Sequence, residues 1–160
     1  MTDTLHVYTW REGLLARVGH DLRLSATQLA VKREGDHWVV RVPVASLKVD
    51  GAMHDDALTP VADKDRRDIE HALRSEVLPD DPMIAFRGTL FGPAHVGGEL
   101  TLNGQTHPLT LHAHVEGHRA RGTVEFAPSR WGVRPYRALL GALRLEDRVR
   151  VTFDVGVPEV

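Results

Sequence analysis

Apolar and polar residues alternate along most of the chain, as they do in β-strands that bury one face. The pattern is clearest from Gly98 to Val115. Leu100 and Leu102 share one parity before Asn103-Gly104, and the same apolar face resumes after it as Leu109, Leu111, Ala113 and Val115. Asn-Gly tolerates the positive φ values that a tight hairpin turn requires. The segment therefore predicts a β-hairpin with one apolar face.

The same alternation predicts strands over residues 4–11, 38–44, 84–90, 120–126 and 149–155. A further strand over residues 22–31 changes parity near Thr27, which predicts a β-bulge or bend there. Residues 50–60 are small and polar, so we expect a loop.

Helical spacing appears in one long segment. Ile69, Ala72, Leu73 and Val77 recur at the spacing of one helix face, which predicts an α-helix over about residues 63–78 that Pro79 ends. Short helical turns are predicted at residues 12–19 and 138–143. We expect the long helix to lie against a sheet or across the end of a barrel.

These elements predict an all-β domain over residues 1–160, an eight-stranded antiparallel barrel with one α-helix. Two interpretations of its interior stay open. Small inward residues would leave room for a ligand: Gly88, Gly98, Ala113, Ala120 and Gly122. Alternatively, the glycines mark close strand packing, or large side chains fill the space: Trp38, Phe86, Phe126 and Phe153.

Composition narrows the function classes. The chain has no cysteine, which excludes disulfides, thiolate nucleophiles and cysteine metal sites. Its net charge of -2 does not favour nucleic acid as a partner. No apolar run is long enough for a transmembrane segment, and the N-terminus does not resemble a secretory signal, so we expect a cytoplasmic protein, or a periplasmic one if a signal was removed.

Histidines suggest two kinds of chemistry. His112 and His114 share one strand face, but no pattern fixes His107 or His118 as a further ligand, so the sequence predicts no metal site and no cofactor. His20 beside Asp21 suggests a base, which leaves a hydrolase or isomerase as the enzyme alternative. No serine or threonine lies in a recognisable nucleophile setting, so we predict no catalytic residues and a protein that is not an enzyme.

Several motifs resemble the YceI-like family. The run GELTLNGQTHPLTLHAHV is similar to the family's G-x-L-T-L-x-G-x-T-x-P-x-x-L segment. Leu73-Arg74-Ser75, Val77-Leu78, Pro82 and Ile84-Ala85-Phe86 resemble its helix and following strand. Ser129-Arg130-Trp131-Gly132 and Asp147-Arg148-Val149-Arg150-Val151 resemble the family's "S-x-F-G" and "D-x-V-x-I" pair, and His20 falls where the family usually has a histidine. Val77 and Asp81 replace aromatic residues of the pattern.

The resemblance implies a lipocalin-like barrel whose apolar channel binds a polyisoprenoid or quinone-type lipid. The ligand-binding residues would be Leu14, Val18, His20, Val40, Val42, Ile84, Phe86, Leu100, Leu111, Val124, Phe126, Trp131 and Phe153. Arg130, Arg134 and Arg137 would hold a polar headgroup. A barrel that is packed solid and acts as a protein interaction module is the other alternative, and exposed strand edges also allow a homodimer.

Overall fold

The structure is a computed structural model that describes residues 2–12, 21–79, 82–92, 94–134, 137–138 and 143–158. The predicted turn over residues 12–19 falls mostly outside them, as does most of the turn over residues 138–143. The described residues form twelve strands and one α-helix.

The first six strands precede the helix. They are β1 (Thr4–Glu12), β2 (Leu22–Ala26), β3 (Ala30–Glu34), β4 (His37–Pro43), β5 (Leu47–His54) and β6 (Ala57–Thr59). The helix, α1, spans Asp63–Ala72. The remaining strands are β7 (Met83–Phe91), β8 (His95–Leu102), β9 (Gln105–Glu116), β10 (Arg119–Phe126), β11 (Arg137–Ala138) and β12 (Leu143–Gly156).

All these strands belong to one antiparallel sheet. The pairing order is β3-β4-β7-β8-β9-β10-β12-β1-β2-β5-β6, and β11 pairs with β12 beside this path. In the described residues the path does not close by hydrogen bonds, and β3 and β6 are its two ends. Inward side chains of β1 to β4, β7 to β10 and β12 nevertheless face one common interior, so the sheet curls into a barrel.

The predicted hairpin is confirmed. β8 pairs with β9 from His95 opposite His112 to Leu102 opposite Gln105. Asn103 and Gly104 both have positive φ, 55° and 71°, as a two-residue type I′ turn requires. The apolar face chosen from the alternation is the inward one, because Leu100, Leu102, Leu109, Leu111, Ala113 and Val115 all face the interior.

Two expectations about strands were wrong. The predicted bulged strand over residues 22–31 is two strands, since β2 pairs with β1 and β5 whereas β3 pairs with β4. The change of parity near Thr27 marks the connection between β2 and β3. The Thr27 amide in this connection donates to the Ser46 carbonyl at 2.9 Å. Residues 50–60 are a hairpin of β5 and β6 rather than a loop, because the two-residue turn at Asp55-Asp56 returns the chain on itself. Their small polar side chains concealed the strand pattern.

The helix begins at Asp63, as predicted. It changes at Leu73 into one π-helical turn, Leu73–Val77, in which the Leu78 amide donates to the Leu73 carbonyl at 2.9 Å. Glu70 fastens the helix to β5, because its carboxylate accepts from the Val49 amide at 3.1 Å. The helix therefore lies across one end of the barrel.

Trp131 anchors the core at that end. It is fully buried in a cluster with Val44, Leu78, Leu102 and other apolar residues, next to Phe126. Its indole Nε1 donates to the Leu100 carbonyl at 2.8 Å, and its own carbonyl accepts from Asn103 at 3.0 Å. The 3₁₀ turn that carries Trp131, Pro128–Trp131, is thereby fixed to the β8–β9 hairpin.

Phenylalanine rings lie over the inward glycines. A Cβ on Gly88 would lie 2.6 Å from the Phe86 ring, and one on Gly122 would lie 2.7 Å from the Phe153 ring. Gly98 is covered by the Phe86 ring as well, at 2.8 Å. The space beside these glycines is therefore occupied by the aromatic rings and not left empty. The absence of a side chain at each glycine lets a ring lie close against the barrel wall.

Arg119 ties three strands together near the other end. Its guanidinium donates to Asp154 on β12 at 2.7 Å and to Asp3, just before β1, at 3.1 Å. Its hydrogen bond to Asp154 holds the pKa of that carboxyl below its usual value. The carboxylate thus stays charged and paired at neutral pH.

We expect Gly122→Ala to destabilise the fold by about 2 kcal/mol or more, since the added methyl group would meet the His112 carbonyl, the Ala113 backbone and the Phe153 ring. Chemical denaturation would measure the change. Gly156→Ala is the matched control, because a Cβ there meets its nearest atoms at an ordinary 3.5 Å. Equal stability of the two variants would contradict the close packing at Gly122.

Candidate ligand-binding site

The barrel encloses a cavity of about 640 Å³. Ligand pockets commonly measure about 300–1,000 Å³. Its wall is made of apolar side chains from most strands and from the inner face of the helix. Many of these side chains, such as Val40, Leu111, Val124 and Val151, are only half-buried although they point inward. The interior is therefore not packed solid, and a ligand could bury the rest of their surface.

Nine residues predicted from the sequence to bind ligand line this cavity. They are Val40, Val42, Ile84, Phe86, Leu100, Leu111, Val124, Phe126 and Phe153. Strand alternation brings them together, because each occupies an inward position of its strand. Their contact with a ligand stays a prediction.

Trp131 and Arg130 are not on the cavity wall. Trp131 lies behind the wall in the fully buried cluster, where Leu100 and Phe126 separate it from the interior. Arg130 stacks on the Trp131 ring at 5.1 Å and is exposed. The Trp131 indole is fully buried and donates to the Leu100 carbonyl. It therefore supports the cavity wall from behind and is not accessible to a ligand.

Four other predicted residues cannot be placed at the cavity. Leu14, Val18 and His20 lie outside the described residues. Arg137 belongs to β11, opposite Arg144 of β12, but its side chain is outside the described part. Roles for these four in binding stay predictions.

The helix and its π-helical turn supply wall residues that the sequence did not predict as ligand-binding. Ile69, Ala72, Leu73 and Val77 all face the cavity. The helical spacing of these four residues predicted the helix and its apolar face. Spacing alone does not distinguish a face that packs against a sheet from one that lines a cavity. Inward residues of β1, β2 and β12 were missed as well, including Val7, Leu24 and Val151.

Charged side chains form a rim at one end of the cavity. The charged rim consists of Arg11, Asp65, Asp68, Arg134, Arg144 and Glu146. Arg11 pairs in register with Leu145, which places it beside Arg144 and Glu146. Ile69 of α1 packs on Leu22 and Leu24 of the adjoining β2, so the helix aspartates lie at this end too.

In the described part of the chain, Arg134 lacks the ion pairs that three other rim residues form. Arg11 pairs with Asp21 at 4.0 Å, Glu146 pairs with Arg148 at 3.0 Å, and Asp68 pairs with Lys64 at 3.0 Å. Arg134 is exposed and forms no ion pair with any residue that the structure describes. Its guanidinium is therefore available to an acceptor at the mouth of the cavity.

Histidines 112 and 114 face outward. The His112 ring lies 4.9 Å from that of His95 on the neighbouring strand, and His114 pairs with Glu116 at 3.7 Å. Across the described ranges, no group of three or more His, Cys, Asp or Glu side chains is placed to hold a metal ion. Among those residues, the two histidines have no further ligands of the number that a protein metal site needs.

Within the described part of the chain, no helix has the length and apolar character needed to span a membrane.

Comparison with solved structures supports the fold. BcnA of Burkholderia cenocepacia is 13% identical and superposes with a TM-score of 0.62 over 95% of this chain and 94% of that one. The YCEI protein of Campylobacter jejuni is 11% identical, with a TM-score of 0.52 over 82% of each chain. At these identities the likeness concerns the fold alone. No curated protein matches the chain.

The sequence itself matches the model of the YceI-like domain over residues 6–157. This match covers nearly the whole chain and includes every strand that lines the cavity. The all-β, lipocalin-like architecture predicted from the sequence agrees with it. The chain belongs to the YceI-like family.

Proposed function

We propose that this protein binds one isoprenoid or similar long apolar lipid in its cavity and acts as a carrier, store or sensor rather than as an enzyme. The observation that carries the proposal is the apolar cavity of about 640 Å³ with a charged rim at one end. Membership of the YceI-like family supports it, since the resemblance implies a polyisoprenoid ligand.

Apolar burial supplies enough free energy for such binding. Each methylene removed from water contributes about 0.8 kcal/mol, so ten carbons contribute roughly 8 kcal/mol before the costs of association. Catalysis is not needed to use this energy. The half-buried wall residues would gain contacts from the same ligand, which favours a long chain over a compact polar molecule.

Two alternatives are less well supported. A barrel packed solid and used as an interaction module does not agree with the cavity. A hydrolase or isomerase would depend on His20, which lies outside the described residues.

A cytoplasmic location and a homodimer stay predictions.

We expect Val124→Phe to weaken binding of a fluorescent isoprenoid by about tenfold or more, because the larger side chain would occupy cavity space that the ligand needs. Fluorescence titration of the purified protein would measure the dissociation constant. The neighbouring variant Thr123→Phe is the matched control, since Thr123 is exposed on the outer face of β10.

Equal affinities for the inward and outward variants would contradict binding inside the barrel. Circular dichroism and thermal unfolding of both variants would show whether each is folded, so that a lost fold is not mistaken for a blocked cavity.

Arg134 gives the proposal a test at the rim. We expect Arg134→Gln to weaken binding of farnesyl phosphate about threefold to tenfold but to leave binding of farnesol nearly unchanged, because only the phosphate forms an ion pair with the guanidinium. Isothermal titration at low and physiological salt would measure both affinities, and the difference should shrink as salt rises.

Arg87→Gln is the control for net charge, because Arg87 lies on the outer face and pairs with Glu34 at 3.3 Å. A similar loss for Arg134→Gln and Arg87→Gln would show that the effect comes from overall charge. A loss of farnesol binding equal to that of farnesyl phosphate would remove Arg134 from the headgroup site.

A further inference from the structure

Two polar atoms on the cavity wall have no partner. Thr9 Oγ1 and Trp38 Nε1 are buried, and neither forms a hydrogen bond with any of the described residues. Both residues line the cavity. Because buried polar groups are nearly always paired in native proteins, an unpaired one on a cavity wall calls for a partner inside the cavity.

Trp38 identifies the chemistry of that partner more closely than Thr9. An indole N–H only donates, whereas a hydroxyl donates and accepts. The other indole that lies in the core, on Trp131, is already used, since it donates to the Leu100 carbonyl at 2.8 Å. What Trp38 lacks is therefore a hydrogen-bond acceptor.

The neighbours of Trp38 offer none. Its partners on the neighbouring strands are Arg33 and Gly88, neither of which has an acceptor side chain, and Val40, two residues along β4, is an apolar wall residue. The guanidinium of Arg33 lies over the indole ring, 5.3 Å from its centroid, and its Nε donates to the Gly35 carbonyl. Arg33 is the cross-strand partner of Trp38 but does not line the cavity. Every charged residue that lines the cavity belongs to the rim, so an anion beside Trp38 would have no charged partner on the wall, which favours an uncharged acceptor.

Trp38 is also remote from the charged rim. Along β4 it lies four residues before Val42, about 13 Å at 3.3 Å per residue. Val42 is opposite Ile84, and both adjoin the end that α1 and Trp131 close. A polar group held by Trp38 is therefore separate from any headgroup at the rim.

We propose that the natural ligand carries an uncharged oxygen, as a carbonyl, ether or hydroxyl group, which accepts a hydrogen bond from Trp38 Nε1 on the cavity wall, away from the charged rim. Trp38 is then a specificity-determining residue that distinguishes oxygenated apolar chains from plain hydrocarbons. This inference rests on the proposed function, because it requires an apolar ligand inside the barrel.

The test compares two probes of equal length. Farnesylacetone is an isoprenoid ketone, and the matched probe is the hydrocarbon in which a methylene group replaces the carbonyl. In protein labelled with ¹⁵N-tryptophan, the Trp38 indole resonance should move downfield with the ketone and much less with the hydrocarbon. The resonances of Trp131 and Trp10 serve as internal references, since Trp10 lies under Arg148 at 3.8 Å, away from the cavity.

Affinities give an independent reading. Wild-type protein should bind the ketone about threefold to tenfold more tightly than the hydrocarbon, which is the effect of one neutral hydrogen bond. Trp38→Phe should abolish this preference, whereas Trp10→Phe should keep it. Because the measure is a ratio of two probes, a general loss of packing in the Phe variant cancels.

The outcomes separate the two proposals. Binding of both probes with an indole shift specific to the ketone supports the role of Trp38. Binding of both with no such shift, and with equal affinities in the wild type, overturns it while the proposed lipid binding stands. Binding of neither probe overturns the proposed function and this inference together. The indole shift needs only wild-type protein, so the test does not depend on the folding of Trp38→Phe.

Discussion

The open interior depends on aromatic rings that pack closely over glycines. Phe86 covers Gly88 and Gly98, and Phe153 covers Gly122, at distances that leave no room for a Cβ. A larger residue at any of these glycines would push a ring into the space that the ligand is expected to use. Small residues and large rings therefore work together: the glycines give the rings a place on the wall, and a cavity of about 640 Å³ remains beside them.

Apolar and charged surfaces lie in different parts of the cavity. Its charged residues lie at the end where α1 crosses the barrel, and the strands enclose an otherwise apolar interior. Arg134 is available at the rim, whereas Trp38 presents an unpaired donor on the wall away from the rim. Binding strength would come from the apolar wall, and the choice among ligands from these two polar positions.

Strand alternation was sufficient to predict the wall but not the whole sheet. The hairpin at Asn103-Gly104 was predicted because its turn chemistry and its apolar face agree. The β5–β6 hairpin was missed because the alternation of Leu47 and Val49 in β5 breaks at Gly51, where the register shifts, and because β6 has only three residues. Pairing partners alone separate β2 from β3. Sequence likewise placed Phe86 inward, but it could not show whether that ring fills the interior or lies along the wall, since this depends on contacts with Gly98 across the sheet.

Mass spectrometry of the gently purified protein tests the central claim most directly. Native spectra of the intact protein, compared with an organic extract of the same preparation, would detect a bound lipid and identify its chain and oxygen content together. We predict one isoprenoid or similar apolar lipid per chain, and an oxygen atom in it. An empty extract, with no mass shift after incubation with isoprenoids of several lengths, would contradict the account of the barrel as a lipid-binding protein.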